Sequence, residues 1–332
     1  MTALHATVHG SAAHAQSFSA PIGADLAEVE RIFTTKLAGH RRHVARLVGH
    51  LESYRGKRLR PTLLLLAAGA CGSITQSHHV LGAVVEMIHT ATLVHDDVLD
   101  EAHLRRHAST INAGWGNQAS ILLGDMLFSH AFHLASSVDA AACDMIGAAT
   151  NRVCEGELHQ ITERGNLELS EEEYLEVIDG KTAELTACCC RLGAMYAGAD
   201  EEVVEKLAAY GRCLGLAFQI ADDLLDLIGR EDTTGKTLGT DLAQQKLTLP
   251  IIHMLQRLPK ERAAQARRLL RKAPISRSTL LPLLEETGSL DYARDRAEEF
   301  SVQARANLSA LPPSEFQTLL HRLTDWSIRR EK

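Results

Sequence analysis

The sequence predicts an all-α fold, and three observations support that prediction. Hydrophobic residues make up 45% of the 332 positions but aromatic residues only 4%, so the core must be aliphatic. There are only 8 prolines and few β-branched runs, while Ala, Leu, Glu and Arg recur at helical spacing. No strand pattern of useful length interrupts this spacing. We therefore predict a single domain of packed helices.

The chain divides into a loose N-terminal leader, residues 1–23, and the domain, residues 24–332. The leader is rich in Ala, His and Ser and lacks periodicity. Asp25 is suited to cap the first helix, and Pro61 suits the first turn of the next one. Residues 77–101 predict a helix that is roughly 35 Å long at ~1.5 Å per residue.

The remainder of the chain is predicted to form helices separated by short polar segments. Ser170 and Glu173 form the signature of a capping box, which marks a helix start. Residues 229–245 are a polar loop, rich in Gly and Thr, that is too long for a mere connection. Other helices are predicted near residues 118–137, 144–162, 181–196, 201–227 and from Pro250 onward, with a loop opening at 114–116 and linkers at 272–278 and 311–314.

The same acidic pattern occurs twice on predicted helices, as Asp96-Asp97-Val98-Leu99-Asp100 and as Asp222-Asp223-Leu224-Leu225-Asp226. Residues four apart share a helix face, so the outer aspartates of each motif point the same way. The flanking residues are apolar, and carboxylates repel one another there unless a cation compensates them. Mg²⁺ typically takes one or two carboxylates together with substrate phosphates. One copy is compatible with a solvated acidic face, but two copies with identical spacing predict a metal-bridged diphosphate.

Basic residues form short groups that complement these motifs. Lys57 and Arg60 lie just before a predicted helix N-terminus, which favours an anion. Arg105 and Arg106 follow the first acidic motif. Each of these residues alone is compatible with an ordinary surface cation, but jointly they indicate two polyanions, one bound through metal and one bound directly. The other polar candidates, in apolar helices and around the Gly/Thr loop, are Lys181, Thr182, Gln219, Lys236 and Lys246.

Composition excludes several classes of protein. The net charge is −7 without a long basic block, which argues against nucleic acid as a partner. The 7 cysteines show no paired spacing and no signal peptide precedes them, which predicts reduced thiols and a cytoplasmic protein. Their run at 188–190 is predicted to be small apolar filler on a helix. The longest apolar run, residues 63–71, is too short to span a bilayer.

Six segments, in this order and spacing, resemble the trans-isoprenyl diphosphate synthases, or polyprenyl synthetases. They are GKRLRP, HTATLVHDDVLD, LRRH, KTAEL, FQIADDLLD and GKTLGTDLAQQKLTLP, and the resemblance extends from about Ala24 to the C-terminus. The resemblance implies an all-helical bundle around a central active-site cavity, usually as a homodimer. It also implies transfer of an allylic prenyl group to isopentenyl diphosphate, with the released diphosphate taking the proton.

The resemblance also implies roles for individual residues. Asp96 and Asp100 would bind Mg²⁺ bridged to the allylic diphosphate, and Asp222, supported by Asp226, would hold a third ion. The isopentenyl diphosphate site would comprise Lys57, Arg60, His89 and Arg106, and the allylic site Arg105, Lys181, Thr182, Gln219, Lys236 and Lys246. Asp96, Asp100, Lys181, Thr182, Gln219 and Asp222 would form the catalytic group. The chain departs from the family at His107 and Gln245, where Gly is usual; Gly permits a positive φ at lower cost.

The residues before the first motif bear on product length. Ala91 and Thr92 lie about one turn before Asp96, where short-chain members of the family carry an aromatic floor. Phe132 is our candidate for a deeper floor, although a plain core role is equally compatible with its sequence. A wall of ~35 Å suits a product of roughly eight to ten isoprene units, as quinone side-chain enzymes make. Such an apolar product makes loose membrane association plausible for its release.

Four alternatives remain to be weighed. A short-chain farnesyl or geranylgeranyl diphosphate synthase shares every motif. A class I terpene cyclase usually lacks the second Asp-rich motif. A non-catalytic partner subunit typically lacks one motif or the cations. A metal-dependent phosphohydrolase is suggested by His95 beside Asp96, but His43, His50 and His159 form no matching ligand signature.

Overall fold

The computed structural model of the chain describes residues 20–38, 42–54, 56–106, 108–229, 238–272 and 276–328. Two compact units are formed. Of the described residues, those within 1–150, 188–208 and 310–320 form the first unit, and those within 151–187, 209–309 and 321–332 form the second unit.

The described residues are overwhelmingly helical, which confirms the predicted all-α class. The α-helices are α1 Gly23–Leu37, α2 Arg42–His50, α3 Leu59–Cys71, α4 Gln76–Leu99, α5 Ile111–Trp115, α6 Asn117–Ser136, α7 Ala140–Thr162, α8 Glu171–Ile178, α9 Glu184–Tyr196, α10 Glu201–Ile228, α11 Thr240–Ala243, α12 Leu249–Arg257, α13 Lys260–Leu270, α14 Arg277–Glu286, α15 Ser289–Asn307 and α16 Glu315–Ile328. Short 3₁₀ turns span Ala20–Ile22, Leu51–Tyr54 and Leu308–Ala310, and a π-helical turn spans Asp179–Ala183.

In the first unit, α4 packs along α6, α3 and α1. Helix α3 is buried almost all round because its apolar residues occupy every face, which is typical of a core helix. The ring of His95 on α4 packs against Gly124 of α6, where an added Cβ would lie 2.1 Å from Nε2. The same Nε2 lies 3.1 Å from the Ile121 carbonyl oxygen. His95 is therefore engaged in helix packing, in contrast to the role that the phosphohydrolase alternative requires.

The second unit has an aliphatic core contributed by α8, α10 and α12–α15. The predicted capping box begins α8: the Ser170 hydroxyl accepts from the Glu173 N–H at 3.1 Å, and the Glu173 carboxylate accepts from the Ser170 N–H at 2.8 Å. The predicted helix at 181–196 instead begins with the π-helical turn. The predicted polar loop contains α11, whereas its residues 230–237 lie outside the described part of the chain.

Two local predictions are wrong, and a short hairpin was not predicted. Strands β1 Leu104–Arg105 and β2 Ala108–Ser109 form a two-stranded antiparallel hairpin, which is too short to show a period-two pattern. The loop predicted at 114–116 is instead partly helical, in α5. Asp25 lies in the first turn of α1 rather than at its N-cap, and His79 Nε2 lies 2.7 Å from its carboxylate. A tertiary partner has replaced the local cap.

All seven cysteines lie in the described part of the chain, and none of them forms a disulfide. Cys188, Cys189 and Cys190 are at most 4% exposed, which confirms their role as small core residues. No helix in the described part of the chain is both long and apolar enough to cross a membrane.

Candidate active site

The first acidic motif closes α4 in the first unit. Asp96 and Asp100 are one turn apart, since the Asp100 N–H donates to the Asp96 carbonyl at 2.8 Å. Both side chains are half-buried. The predicted common face for these two carboxylates is therefore present.

The central aspartate, Asp97, is only 1% exposed, and both of its carboxylate oxygens are engaged. Tyr54 donates its hydroxyl to Oδ2 at 2.5 Å. Arg105 donates to Oδ1 from Nε at 2.9 Å and from Nη2 at 2.8 Å. Arg105, which the resemblance assigns to the allylic substrate, thus binds the motif itself. The sequence analysis assigned no role to Tyr54 or Asp97, because their partners are distant in the chain.

The structure brings three of the four residues of the predicted isopentenyl group together. Arg60 lies in the first turn of α3, His89 on α4 and Arg106 just after β1. Burial lowers the pKa of His89 well below its ordinary value, and the charges of Arg60 and Arg106 act in the same direction. His89 is therefore neutral at neutral pH. The fourth member, Lys57, is exposed in the segment before α3.

Glu86 is a carboxyl group beside Arg60 that the sequence analysis missed. Burial raises the pKa of Glu86 and the Arg60 charge opposes it, while burial lowers the pKa of Arg60. Among the described residues, Glu86 Oε2 and Arg60 Nε are buried without a hydrogen-bond partner. An unsatisfied guanidinium N–H inside a basic group is suited to an anionic ligand.

The second acidic motif lies near the end of α10 in the second unit. Its central residue, Asp223, is 5% exposed and accepts the Tyr174 hydroxyl and Gln219 Nε2, both at 2.7 Å. Burial raises the pKa of Asp223, and these two hydrogen bonds oppose the rise. The Thr182 hydroxyl donates to Gln219 Oε1 at 2.8 Å. Asp222 is half-buried beside this network.

Asp226, the outer aspartate of the second motif, accepts hydrogen bonds from backbone N–H groups. Its Oδ1 accepts from the N–H groups of Gly239 and Thr240 at 3.1 and 3.2 Å, and its Oδ2 from that of Asp241 at 3.2 Å. Burial raises the pKa of Asp241 well above its ordinary value; the charges of Asp223 and Asp226 add to this, and Lys246 opposes it. Asp241 therefore joins this acidic group, although the sequence analysis did not single it out. Lys246 is 8% exposed.

Lys181 lies in the π-helical turn, a feature that is frequent at functional sites. Its Nζ donates to Gln160 Oε1 at 3.0 Å and forms an ion pair with Glu157. The turn touches α7 at the backbone, since a Cβ on Gly156 would lie 2.4 Å from the Lys181 nitrogen. The predicted residue Lys236 lies outside the described residues, as does His107.

Backbone strain coincides with the predicted site residues. Four non-glycine residues have positive φ among those described: Arg58 at 50°, Glu101 at 50°, Arg106 at 50° and Gln245 at 57°. Each one either is a predicted site residue or is adjacent to one in the chain. The departure noted at Gln245 therefore falls on a left-handed position, which costs a non-glycine residue about 1–2 kcal/mol. Such strain clusters at functional sites.

The residues predicted to govern chain length lie in the first unit. Ala91 is fully buried, and Thr92 and Phe132 are half-buried. A Cβ on Gly147 of α7 would lie 3.9 Å from Phe132 Cε1. Phe128, the other large aromatic on α6, tilts against the His95 ring with centroids 5.8 Å apart.

The donor sets fit Mg²⁺ that is shared with a substrate. Each motif offers carboxylate oxygens, the ligands that hard divalent cations prefer. Within the described part of the chain, no group of three His, Cys, Asp or Glu side chains is arranged to hold a metal alone. Mg²⁺ typically takes one or two carboxylates together with substrate phosphate oxygens, and the outer aspartates of the motifs fit that use.

Comparison with known proteins identifies the class. The crystal structure of a decaprenyl diphosphate synthase from Rhodobacter capsulatus superposes with a TM-score of 0.90 at 35% identity, covering 96% of this chain and 99% of that one. A polyprenyl synthase from Caulobacter crescentus CB15, in complex with calcium and isoprenyl diphosphate, also gives a TM-score of 0.90 at 35% identity over 96% and 98% of the chains. The fold and motifs are thus those of polyprenyl synthases.

The family follows from the sequence match. Residues 41–286 match the polyprenyl synthetase family, and the chain belongs to it. The octaprenyl diphosphate synthase of Escherichia coli (strain K12) is 36% identical over 312 residues, or 93% of this chain and 96% of that protein. The resemblance noted from the six segments is confirmed.

Gly56→Ala tests the basic group. The new Cβ would lie 2.5 Å from Arg106 Nη2, so the guanidinium must move. We expect the KM for isopentenyl diphosphate to rise roughly tenfold, the equivalent of one charge-assisted hydrogen bond, with a smaller change in the allylic KM. Gly114→Ala is the control, because nothing lies within 4 Å of its Cβ. An unchanged isopentenyl KM in folded protein would contradict the assignment of Arg106.

Thr182→Val tests the network of the second motif. It removes the hydroxyl that orients Gln219, so we expect kcat to fall roughly tenfold. Thr186→Val is matched, because this buried hydroxyl donates to backbone carbonyls of Ala183 and Gly211. We expect it to lower the free energy of unfolding by about 1–3 kcal/mol while leaving kcat within a factor of ~2. Equal kcat losses in both variants would remove the special role of Thr182.

Proposed function

We propose that this protein is a Mg²⁺-dependent prenyltransferase that adds isopentenyl diphosphate repeatedly to an allylic diphosphate. Its product would be a long all-trans polyprenyl diphosphate, octaprenyl to decaprenyl, that supplies a quinone side chain. One observation carries this proposal. The central carboxylate of each acidic motif is buried and hydrogen-bonded within the protein, while Asp96, Asp100 and Asp222 remain partly exposed. The relatives named as octaprenyl and decaprenyl diphosphate synthases support the long product.

Asp96, Asp100 and Asp222, with Asp226 in support, would hold Mg²⁺, and we propose three ions for each active site. When bound, the metal neutralises charge on the departing diphosphate. The Caulobacter crescentus structure is a complex with calcium and isoprenyl diphosphate, which supports the binding of a divalent cation and a prenyl diphosphate by this chain. Arg105, Lys181, Lys236 and Lys246 would add positive charge for the allylic diphosphate.

The allylic C–O bond breaks, and its electron pair leaves with the diphosphate. The double bond of isopentenyl diphosphate then attacks the allylic cation, forming the new C–C bond, and the released diphosphate takes the proton that is lost. Lys57, Arg60, His89 and Arg106 would hold the isopentenyl diphosphate. The Thr182 oxygen and the Gln219 amide dipole, oriented by their mutual hydrogen bond, would stabilise the cation.

A second copy of the chain is the expected partner. The exposed apolar residues Ile121, Leu122 and Trp115 of the first unit, which are 45%, 69% and 41% exposed, support a homodimer. The seven cysteines, which are not in disulfides, support a cytoplasmic setting. Loose membrane association would serve release of the apolar product.

Extension of farnesyl diphosphate tests the function. With Mg²⁺ and labelled isopentenyl diphosphate, we expect a product ladder that ends between octaprenyl and decaprenyl, and chelation should abolish it. Asp96→Asn should lower kcat/KM by roughly a hundredfold or more. Asp144→Asn is the control, since this aspartate is exposed on α7 outside the motifs. A geranylgeranyl end point would favour the short-chain alternative, and no extension at all would favour a partner subunit.

Product length tests the proposal that Ala91, Thr92 and Phe132 line a tunnel for the growing prenyl chain. Ala91→Phe places an aromatic ring where Ala91 is fully buried, so we expect shorter products on reversed-phase chromatography. Phe132→Ala should lengthen them by removing the proposed floor. Phe128→Ala is the control matched to Phe132→Ala, because it truncates the other large aromatic of α6, which contacts His95. Unchanged products from folded Ala91→Phe and Phe132→Ala proteins would overturn the tunnel assignment.

A further inference from the structure

Tyr54 occupies an unusual position in the first unit. It ends the 3₁₀ turn before the GKRLRP segment and is 3% exposed. Its hydroxyl donates to Asp97 Oδ2 at 2.5 Å and accepts from the Ile111 N–H at 3.0 Å. Its backbone carbonyl accepts a hydrogen bond from Arg106 Nη1. One buried residue therefore contacts both the first acidic motif and the basic group.

The partners of Tyr54 are held from other sides as well. The Asp97 carbonyl accepts from Asn112 Nδ2 at 3.1 Å and from the Ala102 N–H at 2.9 Å. The guanidinium carbon of Arg105, which pairs with Asp97, lies 5.9 Å from the centroid of the Tyr54 ring, within the range of a cation–π contact. Without the Tyr54 hydroxyl, Asp97 Oδ2 would be a buried acceptor with no donor, and the carboxylate could turn.

Loss of that donor would loosen the side-chain anchor of the helix end that also carries Asp96 and Asp100. The hydroxyl stays a donor at neutral pH, because burial and the Asp97 hydrogen bond raise the pKa of Tyr54. Arg106 would keep its hydrogen bond to the Tyr54 backbone carbonyl even if the Tyr54 ring moved. The direction of that hydrogen bond would change, because it depends on the conformation of the 3₁₀ turn that carries Tyr54.

We propose that Tyr54 is a positioning residue that couples the metal-binding aspartates of the first motif to the isopentenyl-binding Arg106. Its hydroxyl holds the carboxylate of Asp97, and its backbone carbonyl holds the guanidinium of Arg106. The inference rests on the proposed function for the identity of the ligands, whereas the coupling itself rests on the contacts of Tyr54.

Tyr54→Phe tests the link because it removes the hydroxyl and keeps the ring and the carbonyl. We expect the Mg²⁺ concentration for half-maximal activity and the allylic KM to rise roughly ten- to hundredfold, as for loss of one hydrogen bond to a charged group. Saturating Mg²⁺ should return kcat to within a factor of ~3 of the wild type. Tyr196→Phe is the matched control, since it breaks a Tyr–Asp hydrogen bond of 2.6 Å to Asp139 in the same unit.

Two outcomes would overturn the proposal. One is a Tyr54→Phe protein whose Mg²⁺ and allylic dependences match those of the wild type. The other is a loss of kcat that excess Mg²⁺ does not restore and that follows the fall in Tm, as a purely structural role would produce.

Hydrogen exchange in the unaltered protein tests the same link if Tyr54→Phe does not fold. With Mg²⁺ and inorganic diphosphate as the probe, we expect slower exchange both at Ile111 and in the segment from Gly56 to Arg60. Protection confined to residues 96–100 would overturn the coupling. A wild-type protein that shows this protection but extends no allylic diphosphate would retain the coupling and refute the proposed function.

Discussion

Burial of one carboxylate in each acidic motif is the constraint on which the rest of the candidate site depends. An ionised carboxylate without partners in an apolar interior costs several kcal/mol, so each central aspartate requires donors. The donors come from far along the chain: Tyr54 is 43 residues from Asp97, and Tyr174 is 49 residues from Asp223. These bonds fix the helix ends, and the outer aspartates take their positions from them.

The two units meet this constraint with different chemistry. Asp97 has a cation, Arg105, as well as a tyrosine, so its charge is compensated within the protein. Asp223 has only neutral donors, and burial raises its pKa while Asp222 and Asp226 raise it further. The protein therefore compensates the ionised form of the second motif less well, and a divalent cation that bound there would lower the pKa of Asp223. That difference suits a site whose metals and diphosphate arrive together.

Strained backbone and an unsatisfied guanidinium nitrogen occur at the predicted diphosphate contacts. Arg58, Arg106 and Gln245 adopt left-handed backbone beside predicted diphosphate contacts, and the buried Nε of Arg60 has no hydrogen-bond partner among the described residues. Each feature lowers the stability of the unliganded chain. An anion that bonds to these groups would recover part of that loss, so they are better explained by ligand binding than by folding.

The sequence by itself determined the helical class, the family, the capping box of α8, the filler role of the cysteine run and the common face of Asp96 and Asp100. Each of these follows from local periodicity or from contiguous motifs, which can be recognised in the sequence without knowledge of the fold. Only the tertiary structure decided the roles of Tyr54, Tyr174, Glu86 and Asp241, the binding of Arg105 to Asp97, and the short hairpin. Tyr54 and Tyr174 lie 43 and 49 residues from the aspartates they contact, too far for any helical or strand period to register. The hairpin has only two residues in each strand, too few to show a period-two pattern, and a buried charge selects whichever donor the fold brings within reach.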